Sequence, residues 1–286
     1  MQKKTIFNFH EMVAKGEKIV YLTAYDYLTA KMQEKAGVDM ILVGDSLGMV
    51  ALGYDTTFPV TLEDMIRHCQ AVRRGAPNTF IVGDMTYMSY QVSEEQAVES
   101  AGRLIKEGGV DAVKLEGGGT RIASHLKAIN DSGILVMGHI GLTPQFAGQI
   151  GGYKAQGRSA QAALSLVLQA KLLEESGAFS ILVEGVPSIV GKAITERAGI
   201  PIFGIGAGPD THGQLLIYAD MVGFYDNFTP KFVKKYANVG EIMVKAFAEY
   251  AQDVRQNKFP IDGEHTYGMK EEEIKELQQA LFEAEK

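Results

Sequence analysis

The sequence predicts an α/β protein, a closed (β/α)8 barrel of the TIM type with a C-terminal helical extension, and three observations carry that prediction. Eight short apolar runs rich in Ile and Val recur along the 286 residues. They alternate with longer segments of helical period, as parallel strands buried on both faces alternate with crossover helices. No strand-to-helix turn carries a well-placed Gly-x-Gly-x-x-Gly, which argues against the other common arrangement, a doubly wound open sheet.

The eight runs, each too short for a helix, are Ile19–Tyr25, Met40–Gly44, Thr79–Asp84, Ala112–Gly117, Ile134–Ile140, Ser180–Gly185, Ile200–Gly206 and Met221–Tyr225. Between the second and third, Leu62, Met65, Ile66, Cys69 and Val72 form an apolar stripe at helical spacing. Ser93 with Gln96 three residues on reads as a capping box, and Gly108 is expected to close that helix. Gly37, Gly75, Gly133, Gly177 and Gly199 stand at equivalent stops. After the eighth run, Val239–Gln256 reads as a long helix and Pro260–Gly268 as a turn-rich break. Lys270–Lys286 then reads as a separate acidic helix with Ile274, Leu277 and Leu281 on one stripe. The expected division is a catalytic barrel over 1–268 and an extension over 269–286.

Composition narrows the function. A formal net charge of -7 offers no basic footprint for nucleic acid or an anionic membrane, so small-molecule chemistry is the expectation. Nowhere do about 18 consecutive apolar residues occur, and the first ten residues lack a secretory pattern. A cytoplasmic protein is expected. The single cysteine, Cys69, cannot form an intrachain disulfide and is expected in the core.

In a barrel of this kind the active site gathers at the C-terminal ends of the strands, so a polar residue that ends an apolar run is informative. Five successive runs end this way, through Asp45-Ser46, Asp84, Lys114 with Glu116, His139 and Glu184. Singly, each has a plain alternative: Asp45 as a helix cap, Lys114 paired with Glu116 across the rim, His139 as a satisfied core histidine. Together they place four carboxylates at one mouth, where they repel unless a cation is present. The donors are oxygens, with no Cys pair and no helical His-x-x-x-His, so Mg²⁺ or Mn²⁺ fits better than zinc. Asp45 and Asp84, on neighbouring strands, are the expected direct ligands, with Glu116 reaching directly or through water.

The sequence resembles the ketopantoate hydroxymethyltransferase family. The likeness rests on Thr23-Ala24-Tyr25-Asp26-Tyr27, Leu42-Val43-Gly44-Asp45-Ser46-Leu47-Gly48-Met49 and Val113-Lys114-Leu115-Glu116-Gly117-Gly118. It continues in Gly138-His139-Ile140-Gly141-Leu142-Thr143-Pro144-Gln145, Gly151-Gly152-Tyr153-Lys154-Ala155-Gln156-Gly157 and Gly204-Ile205-Gly206-Ala207-Gly208, spanning nearly everything before Pro260. The resemblance implies a (β/α)8 barrel that transfers a hydroxymethyl group from 5,10-methylenetetrahydrofolate to 3-methyl-2-oxobutanoate, giving 2-dehydropantoate for pantothenate and coenzyme A. It implies a homo-oligomer, commonly a decamer. It also implies that Asp45 and Asp84 bind Mg²⁺ with Glu116 assisting, that Ser46 and Lys114 contact the substrate, and that Glu184 accepts a proton.

A mechanism follows as an expectation: Mg²⁺ stabilises an enolate, Lys114 and Ser46 hold the carboxylate, His139 donates to a substrate oxygen and Glu184 removes the C3 proton. Thr86-Tyr87 stands where the family usually shows Pro-Phe, and His212 where an acidic or small residue is common; both lie beside the expected site positions. Two rivals remain. A lyase of the phosphoenolpyruvate and isocitrate type would carry a reactive cysteine motif after the third or fourth strand, which is missing. A non-catalytic barrel would leave the rim carboxylates unexplained.

Overall fold

The computed structural model describes residues 3–286. Eight strands, β1 (Ile19–Thr23), β2 (Met40–Val43), β3 (Phe80–Asp84), β4 (Ala112–Glu116), β5 (Val136–Gly141), β6 (Ser180–Glu184), β7 (Ile202–Ile205) and β8 (Gly213–Leu216), close into a barrel in chain order. Every neighbouring pair is parallel, and β8 pairs back onto β1. Helices or short helical segments fill most of the connections. The expected barrel is therefore the observed one.

Side chains alternate across each strand, and the alternation sorts the core into two compartments. Ile41, Ile81, Val113, Leu115, Ile140, Ile181 and Val183 face the helices, and Met65, Cys69, Val72, Leu126 and Leu173 pack against that layer. Tyr21, Met40, Leu42, Phe80, Val82, Ala112, Met137, Leu182 and Phe203 share the second cluster, inside the barrel. Cys69 is fully buried, as expected. An element not expected, the helix Ile6–Ala14 with its Thr5 cap, brings Phe9 into the inner cluster. Phe9 packs edge-on against Phe80, the first residue of β3, with ring centroids 5.3 Å apart, so this helix closes the N-terminal end of the barrel.

Seven strands fall within two residues of their expected limits, but the eighth does not. It is Gly213–Leu216; the run Met221–Tyr225 begins at the last residue of a short helix, Tyr218–Met221, and continues into a turn. The real strand has only four residues, one of them the exposed Gln214, and it opens on a glycine whose added Cβ would lie 2.6 Å from the Ile19 carbonyl oxygen. A strand so short and so closely packed has no apolar signature. The helix starting at Glu94 is capped by Ser93, but Gln96 reaches back to the Val92 N–H and the Met88 carbonyl and does not complete the box. That helix runs on through a π turn, Leu104–Gly108, and stops at Gly109 in the left-handed conformation, one residue past the expected stop.

The chain divides into two compact units, Met1–Tyr236 and Ala237–Lys286. The second contains the helices Val239–Arg255 and Glu271–Ala284, close to their expected limits. Within it Phe259 packs edge-on against Tyr250 and at a tilt against His265, at centroid distances of 5.6 and 5.1 Å. Among the described residues no helix is long and apolar enough to cross a membrane.

Candidate active site

On the four central strands, β3 to β6, the inner face is apolar at its start and polar at its end. On β4 the inward series is Ala112, Lys114, Glu116; on β3 it is Phe80, Val82, Asp84; on β5 and β6, Met137 is followed by His139 and Leu182 by Glu184. Strand register then sets who meets whom: Asp84 is opposite Lys114, and Glu116 is opposite His139. Asp45 and Ser46 follow β2 after the single residue Gly44. Between β5 and β6 the chains approach closely at Gly141, whose φ is +94° and whose added Cβ would lie 2.2 Å from the Glu184 carbonyl oxygen. Only glycine fits there, beside both His139 and Glu184.

All seven residues expected from the sequence therefore reach the C-terminal rim, and six of them form one charged cluster. Lys114 Nζ lies 2.7 Å from Asp84 Oδ1, 3.9 Å from Glu116 Oε1 and 3.2 Å from His139 Nδ1. The Asp45 backbone N–H donates to Asp84 Oδ2 at 3.1 Å. His139 Nε2 is 3.1 Å from Glu184 Oε2, without the alignment of a hydrogen bond, and its Nδ1 is 3.5 Å from Glu116 Oε1. Ser46 stands apart from the cluster, its hydroxyl 2.8 Å from the Tyr25 phenol. Glu184 is the least buried of the four carboxylates, with 16% of its side chain exposed.

Burial and mutual repulsion govern the charges. Burial, then Asp84 and Glu116, push the Asp45 carboxyl well above the usual range. Burial also raises Asp84, against the pull of Lys114. Burial opposes the charge on Glu116, but His139 and Lys114 hold its carboxyl below the ordinary value. Burial and Lys114 draw His139 down, yet Glu116 and Glu184 outweigh them and carry it up to about 9. Burial likewise opposes the charge on Lys114, and Asp84, Glu116 and Asp45 raise it nonetheless. With Lys114 and His139 both protonated, ionising all four carboxylates together would leave an excess of two negative charges, a cost that the raised Asp45 and Asp84 register.

A divalent cation matches that excess, and the donors suit a hard one. Asp84 Oδ1 is buried without a hydrogen bond although Lys114 Nζ is close. Among the described residues no three His, Cys, Asp or Glu side chains are already gathered on one ion position. A magnesium ion needs fewer, since it commonly takes one or two carboxylates and fills its octahedron with water and substrate.

Sequence reasoning missed the groups that brace this cluster. Gln145, on the short 3-10 turn Pro144–Phe146 after β5, donates from its side-chain amide to Asp45 Oδ2 and to the Met85 carbonyl, both at 2.9 Å. Its backbone N–H donates to Glu116 Oε2 at 3.0 Å. The fully buried Tyr90 hydroxyl is 2.8 Å from Gln145 Oε1 and accepts the Glu116 backbone N–H. Tyr153, in the loop after β5, is half-exposed; burial and the nearby charges of Asp45, Glu116 and Glu184 raise its phenol. Gln145 and Tyr153 lie inside motifs that the sequence displays, but nothing in their spacing marks a role.

A family model described as ketopantoate hydroxymethyltransferase matches residues 3–262. The 3-methyl-2-oxobutanoate hydroxymethyltransferase of Alkaliphilus metalliredigens is 55% identical over 266 residues, covering 93% of each chain. The enzyme of the same name from Heliobacterium modesticaldum is 50% identical, covering 95% of this chain and 98% of its own. Among solved structures, phosphonopyruvate hydrolase in complex with oxalate and Mg²⁺ superposes with a TM-score of 0.59 at 13% identity, covering 99% of this chain and 98% of that one. A 2,3-dimethylmalate lyase of the PEP mutase/isocitrate lyase superfamily gives 0.57 at 18% identity, covering 96% and 98%. At such identities these two show the shared barrel and nothing finer.

Proposed function

The chain belongs to the ketopantoate hydroxymethyltransferase family, a family of transferase enzymes, and on that premise we propose that it moves a hydroxymethyl group onto C3 of 3-methyl-2-oxobutanoate. The donor in this reading is 5,10-methylenetetrahydrofolate with water as a further reactant, and the products are 2-dehydropantoate and tetrahydrofolate. The observation that carries it is the partition of the mouth. Asp45, Asp84 and Glu116 are buried around Lys114, whereas Glu184 stands more exposed against His139.

Asp45 and Asp84 would hold Mg²⁺, with Glu116 reaching it directly or through water. Bound there, the ion supplies Lewis-acid polarisation of the oxygens of the 2-oxo acid. Lys114 and Ser46 bind and orient the substrate carboxylate, and His139, protonated at neutral pH, donates to a substrate oxygen that gains charge as C3 is deprotonated. Glu184 takes the C3 proton and the nucleophilic C3 forms the new carbon–carbon bond to the one-carbon unit, while water supplies the hydroxyl oxygen as the bonds from that carbon to the two folate nitrogens break and tetrahydrofolate leaves. The buried lower layers of the barrel keep water from the reacting carbon on one side. The same family likeness supports a cytoplasmic homo-oligomer, commonly a decamer, which light scattering on the purified chain would measure.

The test is deuterium uptake at C3 of 3-methyl-2-oxobutanoate, followed by NMR with Mg²⁺ and substrate saturating and folate absent. Glu184→Gln keeps the size of the side chain and removes its basicity. The variant should bind metal and substrate normally and lose exchange by about 10²–10⁴-fold. Exchange at the wild-type rate would move the base elsewhere, with His139 next in line.

A further inference from the structure

Each carboxylate around Lys114 has two oxygens in unlike surroundings. Asp45 Oδ2 accepts from the Gln145 side chain, Glu116 Oε2 from the Gln145 backbone, and Asp84 Oδ2 from the Asp45 backbone. Asp84 Oδ1 is ion-paired with Lys114 Nζ at 2.7 Å, and Glu116 Oε1 has only the looser approaches of Lys114 and His139. One residue, Gln145, thus anchors carboxylates on two different strand exits, the second and the fourth.

The Gln145 amide can point only one way. Both hydrogens of its Nε2 are used, on Asp45 Oδ2 and the Met85 carbonyl, and its Oε1 lies 2.8 Å from the Tyr90 hydroxyl and 3.1 Å from Gln91 Nε2. A flipped amide would set its oxygen against a carboxylate and a carbonyl, and its nitrogen against the donor Nε2 of Gln91. The residue is buried, so water could not relieve either clash. We propose that Gln145 is a positioning residue of the metal site: it fixes Asp45 Oδ2 and Glu116 Oε2, and so leaves Asp45 Oδ1 and Glu116 Oε1 as the oxygens available to a divalent cation. This rests on the metal reading given above. Tyr90 supports the same arrangement from behind, since its hydroxyl engages both Gln145 Oε1 and the Glu116 backbone.

The test uses Mn²⁺ as the probe, titrated into the full chain and followed by the loss of its free EPR signal, alongside thermal melting with and without the ion. Gln145→Met keeps the volume of the side chain and removes the amide. It should weaken Mn²⁺ binding about 10–100-fold, the loss usual when a group that orients a ligand is removed. The rise in melting temperature on adding Mn²⁺ should shrink with it. A Gln145 that only ties its loop to the barrel would lower both melting temperatures equally and leave Mn²⁺ affinity within twofold of wild type; that result overturns the proposal. Should Gln145→Met not fold, Tyr90→Phe decides, because it deletes one hydroxyl and keeps the buried ring. Weaker Mn²⁺ binding supports the proposal and unchanged binding overturns it. If wild-type protein binds no Mn²⁺, the metal reading falls and this inference falls with it, whereas normal wild-type binding with an unaffected variant sinks the inference alone.

Discussion

Two helices with the same pattern have opposite fates in this chain. Leu62–Gly75, in the barrel unit, turns Met65, Ile66, Cys69 and Val72 inward and buries all four. Val239–Arg255, in the second unit, carries Ile242, Phe247, Tyr250 and Val254 at comparable spacing and buries none; Ile242 is 66% exposed and Phe247 63%. The helix Glu271–Ala284 repeats the contrast with Ile274, Leu277 and Leu281. An apolar stripe specifies that a helix forms and which side seeks cover. It does not specify what provides the cover, which for Leu62–Gly75 is the layer formed by the flanking strands β2 and β3.

If chemistry resides wholly in the barrel unit, changes there should be costly and changes in the second unit mild. The largest effect is expected from Asp45→Ala or Asp84→Ala. Either should lower kcat by about 10³-fold or more, since a bound metal contributes several kcal/mol to such transition states. Both variants should still give the far-UV circular dichroism of a folded barrel, because each side chain sits at the mouth and outside the inner apolar cluster. Turnover within tenfold of wild type, with metal still bound, would break the assignment. Lys114→Ala should come next, raising KM for the 2-oxo acid about 10–100-fold and KM for the folate less, as expected for a lost charge-assisted hydrogen bond. Equal increases for both substrates would remove Lys114 from the substrate carboxylate.

A smaller effect concerns stability alone. Burial raises the Asp220 carboxyl to about 6, above its unfolded value of about 3.9. A raised carboxyl favours the folded state fully below the unfolded value, and that contribution is lost as pH rises through the folded one. Replacement by Asn should therefore raise the melting temperature at pH 7 and bring little change at pH 4. An equal shift at both values would show that ionisation is not the cause. The smallest effect is expected from ending the chain at Gly268, on the proposal that residues 269–286 are an extension outside the catalytic barrel. Such a chain should fold and keep kcat within about twofold, with any change confined to assembly or heat tolerance. A loss of kcat in an otherwise unchanged oligomer would erase the contrast between the two units.

What the sequence made legible follows from the same physics. Asp84, Lys114, Glu116, His139 and Glu184 were visible because each interrupts an apolar run near its end, at the parity that faces the barrel interior. Asp45 was visible because it follows such a run directly. Gln145 and Tyr90 were not. They sit in loops without periodicity, and the partners that give them meaning lie 100 residues away in one case and 55 in the other. The eighth strand escaped because backbone pairing to β1 defines it, with little help from its own apolar content.

The N-terminal helix with Phe9 against Phe80 makes the barrel a blind alley. In the proposed reaction both substrates and both products would then share the entrance at the C-terminal rim. If the 2-oxo acid lodges among the buried carboxylates and the bulkier folate above it, traffic is ordered by depth: the acid has to arrive first and its product leave last. Product-inhibition kinetics would reveal that queue as 2-dehydropantoate competing with the oxo acid alone, and a random-order pattern would mean that the two substrates pass one another at the door.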